Sequence, residues 1–197
     1  MNLGYDSNLI NFKKLAACDL PYMHKWLNSD YVIEWYSKKK WTLKEIEEKY
    51  MPYINNEKPT QGYLILYDNA PIGYIQTYKI HDYPDYAKFV DIDENSSGLD
   101  LFIGEQDYFH KGLGKQIIGK FLRDIIFSLS DAESCILGPD PNNKVAIKTY
   151  EKAGFKYIKT IQNEDENEPE YIMRVARTEV VGNWSTPAII VRLRKGE

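Results

Sequence analysis

Cysteine is scarce in this chain, with Cys18 and Cys135 the two among 197 residues. Both sit beside or within apolar segments, so reduced packing residues are expected rather than a disulfide framework or a metal site. Long apolar runs are also missing. No stretch approaches the roughly 18 apolar residues that span a bilayer. The segment Met1 to Asn8 has no basic region followed by an apolar one, so no secretory signal is read and a cytoplasmic protein is expected. In that setting the sequons at Asn95-Ser96-Ser97 and Asn183-Trp184-Ser185 carry no meaning. Basic excess is absent: 25 Lys and Arg against 29 Asp and Glu leave a net charge of −4. That balance argues against nucleic acid as the main partner and favours a cationic ligand. No internal repeat or low-complexity segment is present.

Two familiar phosphate loops fail by counting. A dinucleotide fingerprint built on Gly112 and Gly114 would need glycine at 117, where Ile117 stands. A P-loop would need glycine at 109 and Ser or Thr at 116; the chain has Phe109 and Gln116.

What is present centres on Ser97 to Ser130. An apolar strand through Leu99, Asp100, Leu101, Phe102 and Ile103 leads through a loop to His110-Lys111-Gly112-Leu113-Gly114-Lys115. Ile117, Ile118, Phe121, Leu122, Ile125, Ile126 and Leu129 then recur at the spacing of an amphipathic helix. Glycines at a helix start aim free N–H groups outward, which suits a phosphate, and Lys111 and Lys115 add positive charge there. A glycine-rich turn before a surface helix explains the same residues.

Around this stretch, 43% hydrophobic content over the full length predicts one compact domain spanning 1–197. Leu9 to Leu15 reads as a strand, and Asp19 as the cap of a helix through Met23, Trp26 and Leu27. Ile33-Glu34-Trp35-Tyr36 is an aromatic patch in a loop, set either to close a core or to line a pocket. Thr42 to Glu45 is a capping box opening a helix through Ile46 and Tyr50, which Pro52 is expected to stop. Strands at Tyr63–Tyr67 and Ile72–Ile80 meet at an Asp68-Asn69 turn.

His81 to Asn95 has no clear period. It reads as an acidic loop carrying Asp82, Asp85, Asp91, Asp93 and Glu94 among aromatics, and such a loop also suits a polyamine. Ser134–Gly138 reads as a buried strand, followed by a helix ending at Ala153 with Gly154 as its stop. Phe155–Ile161 and Tyr171–Val175 form a hairpin around an acidic loop from Glu164 to Glu170, and Ala188 to Val191 adds a strand in the tail 178–197. Strands alternating with helices, not strictly in parallel, predict a mixed-sheet α/β domain.

Gly112-x-Gly114 before a helix, with Asn143-x-x-Ala146-x-x-x-Tyr150-Glu151-Lys152-Ala153-Gly154-Phe155, resembles the GCN5-related N-acetyltransferase superfamily. Trp26-Leu27-Asn28, Glu34-Trp35, Pro71 to Gln76 and Gly98-Leu99-Asp100 bring the likeness closest to its aminoglycoside 6′-N-acetyltransferases, over residues 12–177. The resemblance implies a mostly antiparallel sheet with two strands splayed at a coenzyme A site, and direct acetyl transfer from acetyl-coenzyme A to a primary amine without a metal. It places the coenzyme between the strands holding Asp100–Ile103 and Ser134–Gly138. The pyrophosphate would rest on Lys111, Gly112, Leu113, Gly114 and Lys115, and the pantetheine on main chain at Leu101, Phe102 and Ile103, with Asn143 beside it.

Asp100 would be the base, a neighbouring strand amide the oxyanion donor, and Tyr150 the acid toward the leaving thiolate. Trp35, Tyr36, Tyr50, Gln76, Asp100 and Asp140 are the pocket candidates for a cationic amine, foremost an aminoglycoside. The chain departs from the pattern at Phe109 in the loop and at Gly138, where the aminoglycoside branch commonly has an Asp; Asp140 lies nearby. Another amine, such as a siderophore precursor or a protein lysine, and a non-catalytic coenzyme A-binding module are the alternatives. Either a monomer or a homodimer is expected.

Overall fold

The structure, a computed structural model, describes residues 5–92, 94–163 and 168–181. The elements run β1 (Ile10–Lys14), α1 (Leu20–Leu27), α2 (Asp30–Val32), α3 (Leu43–Ile54), β2 (Gln61–Tyr67), β3 (Ala70–Lys79), α4 (Pro84–Val90) and β4 (Ser96–Ile103). They continue with α5 (Leu113–Phe121), α6 (Phe127–Leu129), β5 (Ser134–Leu137), α7 (Lys144–Lys152), β6 (Lys156–Asn163), β7 (Glu168–Ala176) and α8 (Arg177–Val181). Wide π-helical turns at Ile33–Ser37 and Leu122–Ile126 extend α2 and join α5 to α6.

Local chemistry explains several boundaries. Asp68 and Asn69 take φ of 47° and 63°, the left-handed pair that a two-residue hairpin needs between β2 and β3. Thr42 Oγ1 accepts from the Glu45 N–H while Glu45 Oε2 accepts from the Thr42 N–H at 2.8 Å, closing the expected box at the start of α3. Asn143 Oδ1 accepts from the Ala146 N–H at 3.0 Å and caps α7.

Other boundaries fall elsewhere than the sequence predicts. Pro52 does not stop α3: it lies inside the helix, which runs to Ile54. Only one internal bond is lost to the ring, and Tyr53 and Ile54 hold the last turn by packing on the core beneath. The patch at Ile33–Tyr36 is a helical turn rather than a loop. The stretch expected as an acidic loop contains α4, where Pro84 sets the first turn, Val90 is buried and Asp91 at φ 47° ends the helix. Asp19 occupies the cap position of α1 without bonding there; its carboxylate takes the Ala16 N–H and the Lys13 ammonium instead. Cys18 is exposed, whereas Cys135 is a buried packing residue. Leu129, expected on the apolar face, is 72% exposed. Glu168 to Glu170 belong to β7; the rest of that acidic loop, Asp93, and the tail strand at Ala188 to Val191 lie outside the described residues.

The sheet has the order β1-β2-β3-β4-β5-β7-β6, antiparallel except where β4 meets β5. Strand alternation sorts β4 between two cores. Leu99, Leu101 and Ile103 pack with Ile117, Ile118, Phe121 and Ile147 under α5 and α7. Phe102, on the other face with Asp100, joins Trp26, Met23, Ile46, Tyr50 and Tyr74 under α1 and α3. The one parallel junction is short, pairing Ser96, Ser97 and Gly98 with Ser134, Cys135 and Ile136. Beyond Gly98, β4 continues with β3 alone while β5 turns to β7, so the two strands part in a V.

Candidate active site

A cavity of about 830 Å³ opens at this V. Leu101, Phe102 and Ile103 line it from the β4 edge that has no neighbouring strand on the β5 side. Lys111, Gly112, Leu113, Gly114 and Lys115 line it from the start of α5, and Asn143 and Tyr150 from α7. Trp35, Tyr36, Gln76, Asp100 and Asp140 complete the expected set on its walls. Tyr50 is the exception. It is fully buried in the core under α3, edge-on to Tyr53 and Tyr74, and forms no part of the wall, because helical period turns it inward with Ile46.

Asp100 is half-buried and aimed by its register. It pairs across β3–β4 with Gln76, whose Nε2 donates to Asp100 Oδ2 at 2.8 Å. Gln76 Oε1 in turn accepts from the Tyr74 hydroxyl at 2.9 Å, so a three-residue chain fixes the carboxylate. Burial above all pushes the phenols of Tyr36, Tyr74 and Tyr78 well up, and the Asp100 charge adds to each rise.

Tyr150 reaches the same cavity from the last turn of α7, packed 6.1 Å from the Phe155 ring. Its phenol is raised by burial first and then by Asp100 and Tyr31, so it holds its proton across the neutral range. The α7 stop at Gly154, φ 101°, sets the chain turning toward Phe155.

The other end of the cavity is lined by the start of α5. Gly112, at φ 76°, caps α5 with open space where a side chain would stand. The first N–H groups of α5 lack helical acceptors and face outward beside the exposed Lys111 and Lys115. A Cβ on Gly114 would lie 2.9 Å from Thr149 Cγ2, so glycine here brings α5 against α7. Because Asn143 Oδ1 is engaged by the α7 cap, its amide nitrogen is the group left to meet a ligand.

Asp140 is on the wall but already occupied: Oδ1 accepts from the Asn142 N–H at 2.8 Å and Oδ2 lies 3.5 Å from Lys38 Nζ. Two wall residues outside the expected pocket set are Tyr78 and Glu170, the latter read from sequence as the end of an acidic loop. Only the alternation along β3 and β7 could have signalled them, since their neighbours come from distant strands.

A carboxylate, a phenol that holds its proton, an open strand edge and a glycine-led helix start with two lysines share one cleft. Residues 16–163 match the family described as an acetyltransferase (GNAT) domain, and the chain belongs to that family. The aminoglycoside N(6′)-acetyltransferase type 1 of Klebsiella pneumoniae is 27% identical over 158 residues, which make up 79% of this chain and 78% of the relative. Among solved structures, aminoglycoside acetyltransferase AAC(6′)-Ib in complex with coenzyme A and kanamycin has a TM-score of 0.75 at 24% identity, covering 88% of this chain and 98% of that one. Spermidine N-acetyltransferase from Vibrio cholerae, in complex with coenzyme A and spermine, has a TM-score of 0.69 at 16% identity, covering 88% and 99%. These two structures share the fold. Among the described residues no helix is long and apolar enough to cross a membrane, and no group of three or more His, Cys, Asp or Glu could hold a metal ion.

Proposed function

We propose that this acetyltransferase moves the acetyl group of acetyl-coenzyme A to a primary amine of a polycationic small molecule, with the 6′-amine of aminoglycosides as the leading substrate. The observation that carries the reading is a half-buried, fixed carboxylate at Asp100 on the wall of the β4–β5 cleft. The coenzyme thioester supplies the electrophilic acyl carbon. Lys111, Lys115 and the first N–H groups of α5 hold the pyrophosphate, and the free edge of β4 at Leu101 to Ile103 meets the pantetheine amides. The Asn143 amide nitrogen donates to the same arm. Asp100 draws the substrate ammonium to the cleft and takes its proton, which an amine must lose before it can attack. A main-chain N–H of β4 beside Asp100 faces the developing oxyanion, and the protonated Tyr150 meets the departing thiolate. Trp35, Tyr36 and Gln76 flank the amine.

A second reading, transfer to a different amine such as a lysine side chain or a siderophore precursor, is favoured by Gly138 and by the engagement of Asp140 with Lys38. Release of coenzyme thiol, followed with kanamycin, tobramycin, gentamicin and non-antibiotic amines, separates the two. Turnover of the antibiotics is expected, and turnover of the other amines alone would reject the leading substrate. The KM for a polycation is expected to climb with ionic strength, because added salt shortens the Debye length from about 10 Å at 0.1 M to about 3 Å at 1 M. A KM that stays flat over this range would remove long-range attraction from the account.

A further inference from the structure

We propose that Glu170 selects substrates carrying a second ammonium group, its carboxylate occupying the space that a side chain at position 138 would fill. The inference deepens the acetyl-transfer reading and rests on it. Gly138 directly follows β5, and a Cβ built there would collide with Glu170 Oε2 and come within 3.1 Å of Ile172 Cδ1. Glycine at the end of β5 is therefore what admits a carboxylate from β7. Both residues line the cavity that Asp100 lines.

The carboxylate is held in place. Tyr86, from α4, donates its hydroxyl to Glu170 Oε2 at 3.0 Å. The Tyr171 N–H bonds to the Pro139 carbonyl at 2.9 Å, tying β7 to the loop that follows Gly138. Register puts the two acids on one face. Gly98 pairs with Ile136, Ile136 pairs with Arg174, and Glu170 and Asp100 follow at even spacing along β7 and β4. Tyr78 stands over Gly98 on that face, and the charges of Asp100 and Glu170 both add to the rise of its buried phenol.

Two carboxylates on one wall divide the work on a polycation. The ammonium at Asp100 is discharged and acetylated; a second ammonium at Glu170 keeps its proton and sets the distance and direction of the first. A substrate with one amine gains nothing from Glu170.

The test compares wild type with Glu170→Gln on neamine, which carries several amines, and on methyl 6-amino-6-deoxyglucoside, which carries one. The amide keeps an acceptor for Tyr86, so the local fold is retained. Losing a charge-assisted bond in a half-buried site is expected to reduce kcat/KM for neamine about tenfold or more relative to the monoamine, through KM. The pair Gly138→Asp with Glu170→Ala, which supplies a carboxylate to the same space from the end of β5 instead of from β7, is expected to restore the preference. Equal losses on both amines, or none on neamine, would overturn the assignment. Calorimetric titration of neamine reads the carboxylate apart from turnover: about tenfold weaker binding to Glu170→Gln is expected, and equal affinities would overturn it. A wild type that turns over neither amine yet binds neamine through Glu170 would sink the acetyl-transfer reading alone.

Discussion

Replacing Asp100 by asparagine is expected to lower kcat by about 10²- to 10⁴-fold, the usual contribution of a positioned general base. Asparagine is isosteric and retains an oxygen for the Gln76 amide, which now donates at 2.8 Å, so the β3–β4 pairing should survive. What disappears is the proton acceptor and the negative charge. The loss should therefore appear in kcat with a melting temperature close to that of wild type. A further readout follows from the tyrosines. Tyr36, Tyr74, Tyr78 and Tyr150 all have phenols raised in part by the Asp100 charge. Ultraviolet titration of the variant should find part of the tyrosine population ionising at lower pH than in wild type. An unchanged kcat would take Asp100 out of the chemistry, whatever the titration shows.

Gly73→Ala is expected to have the largest effect on stability. At Gly73 a Cβ would land on the Phe102 carbonyl oxygen and 2.9 Å from Ile103 Cα. Backbone rather than a flexible side chain stands in the way, so β3 and β4 must separate. The site lies at an irregularity in the β2–β3 register, where the Ile72 carbonyl accepts from both the Gly104 and Glu105 N–H groups. Overpacking of this kind costs about 3 kcal/mol at the upper end. For a chain of this size that corresponds to a melting temperature lower by about 6–12 °C. Because Phe102 also lines the cavity, the KM for acetyl-coenzyme A should rise with the loss of stability. A variant that melts with wild type would mean that the close approach of these strands is dispensable.

Features legible in the sequence were those whose cause is local. The Thr42 box, the Asp68-Asn69 turn and the Gly154 stop each depend on neighbouring residues, and each stands where the sequence puts it. Pro52 misled because packing of Tyr53 and Ile54 outweighed one missing hydrogen bond. The helix α4 was hidden because its few apolar residues are scattered among charges, and their partners, Ile136 and Ile172, come from distant strands. Tyr50 carries the composition of a pocket residue, yet its helical position beside Ile46 fixes it in the core. The cleft and its carboxylate were legible through family likeness rather than through periodicity, since nothing in β4 itself says where β5 will leave it. Glu170 was legible only as the end of an acidic loop: its place in the cleft depends on what Gly138 omits, on a strand far away in the chain.

The three residue pairs joining β4 to β5 have one more consequence. Among the described residues they are the sole ladder between a four-stranded wing and a three-stranded wing, and the ladder stops where the cleft begins. An extended, amide-bearing molecule lying in that notch would find hydrogen-bonding groups spaced for a neighbouring chain. It would be received as a surrogate eighth strand, and mending the seam would brace the two wings against each other.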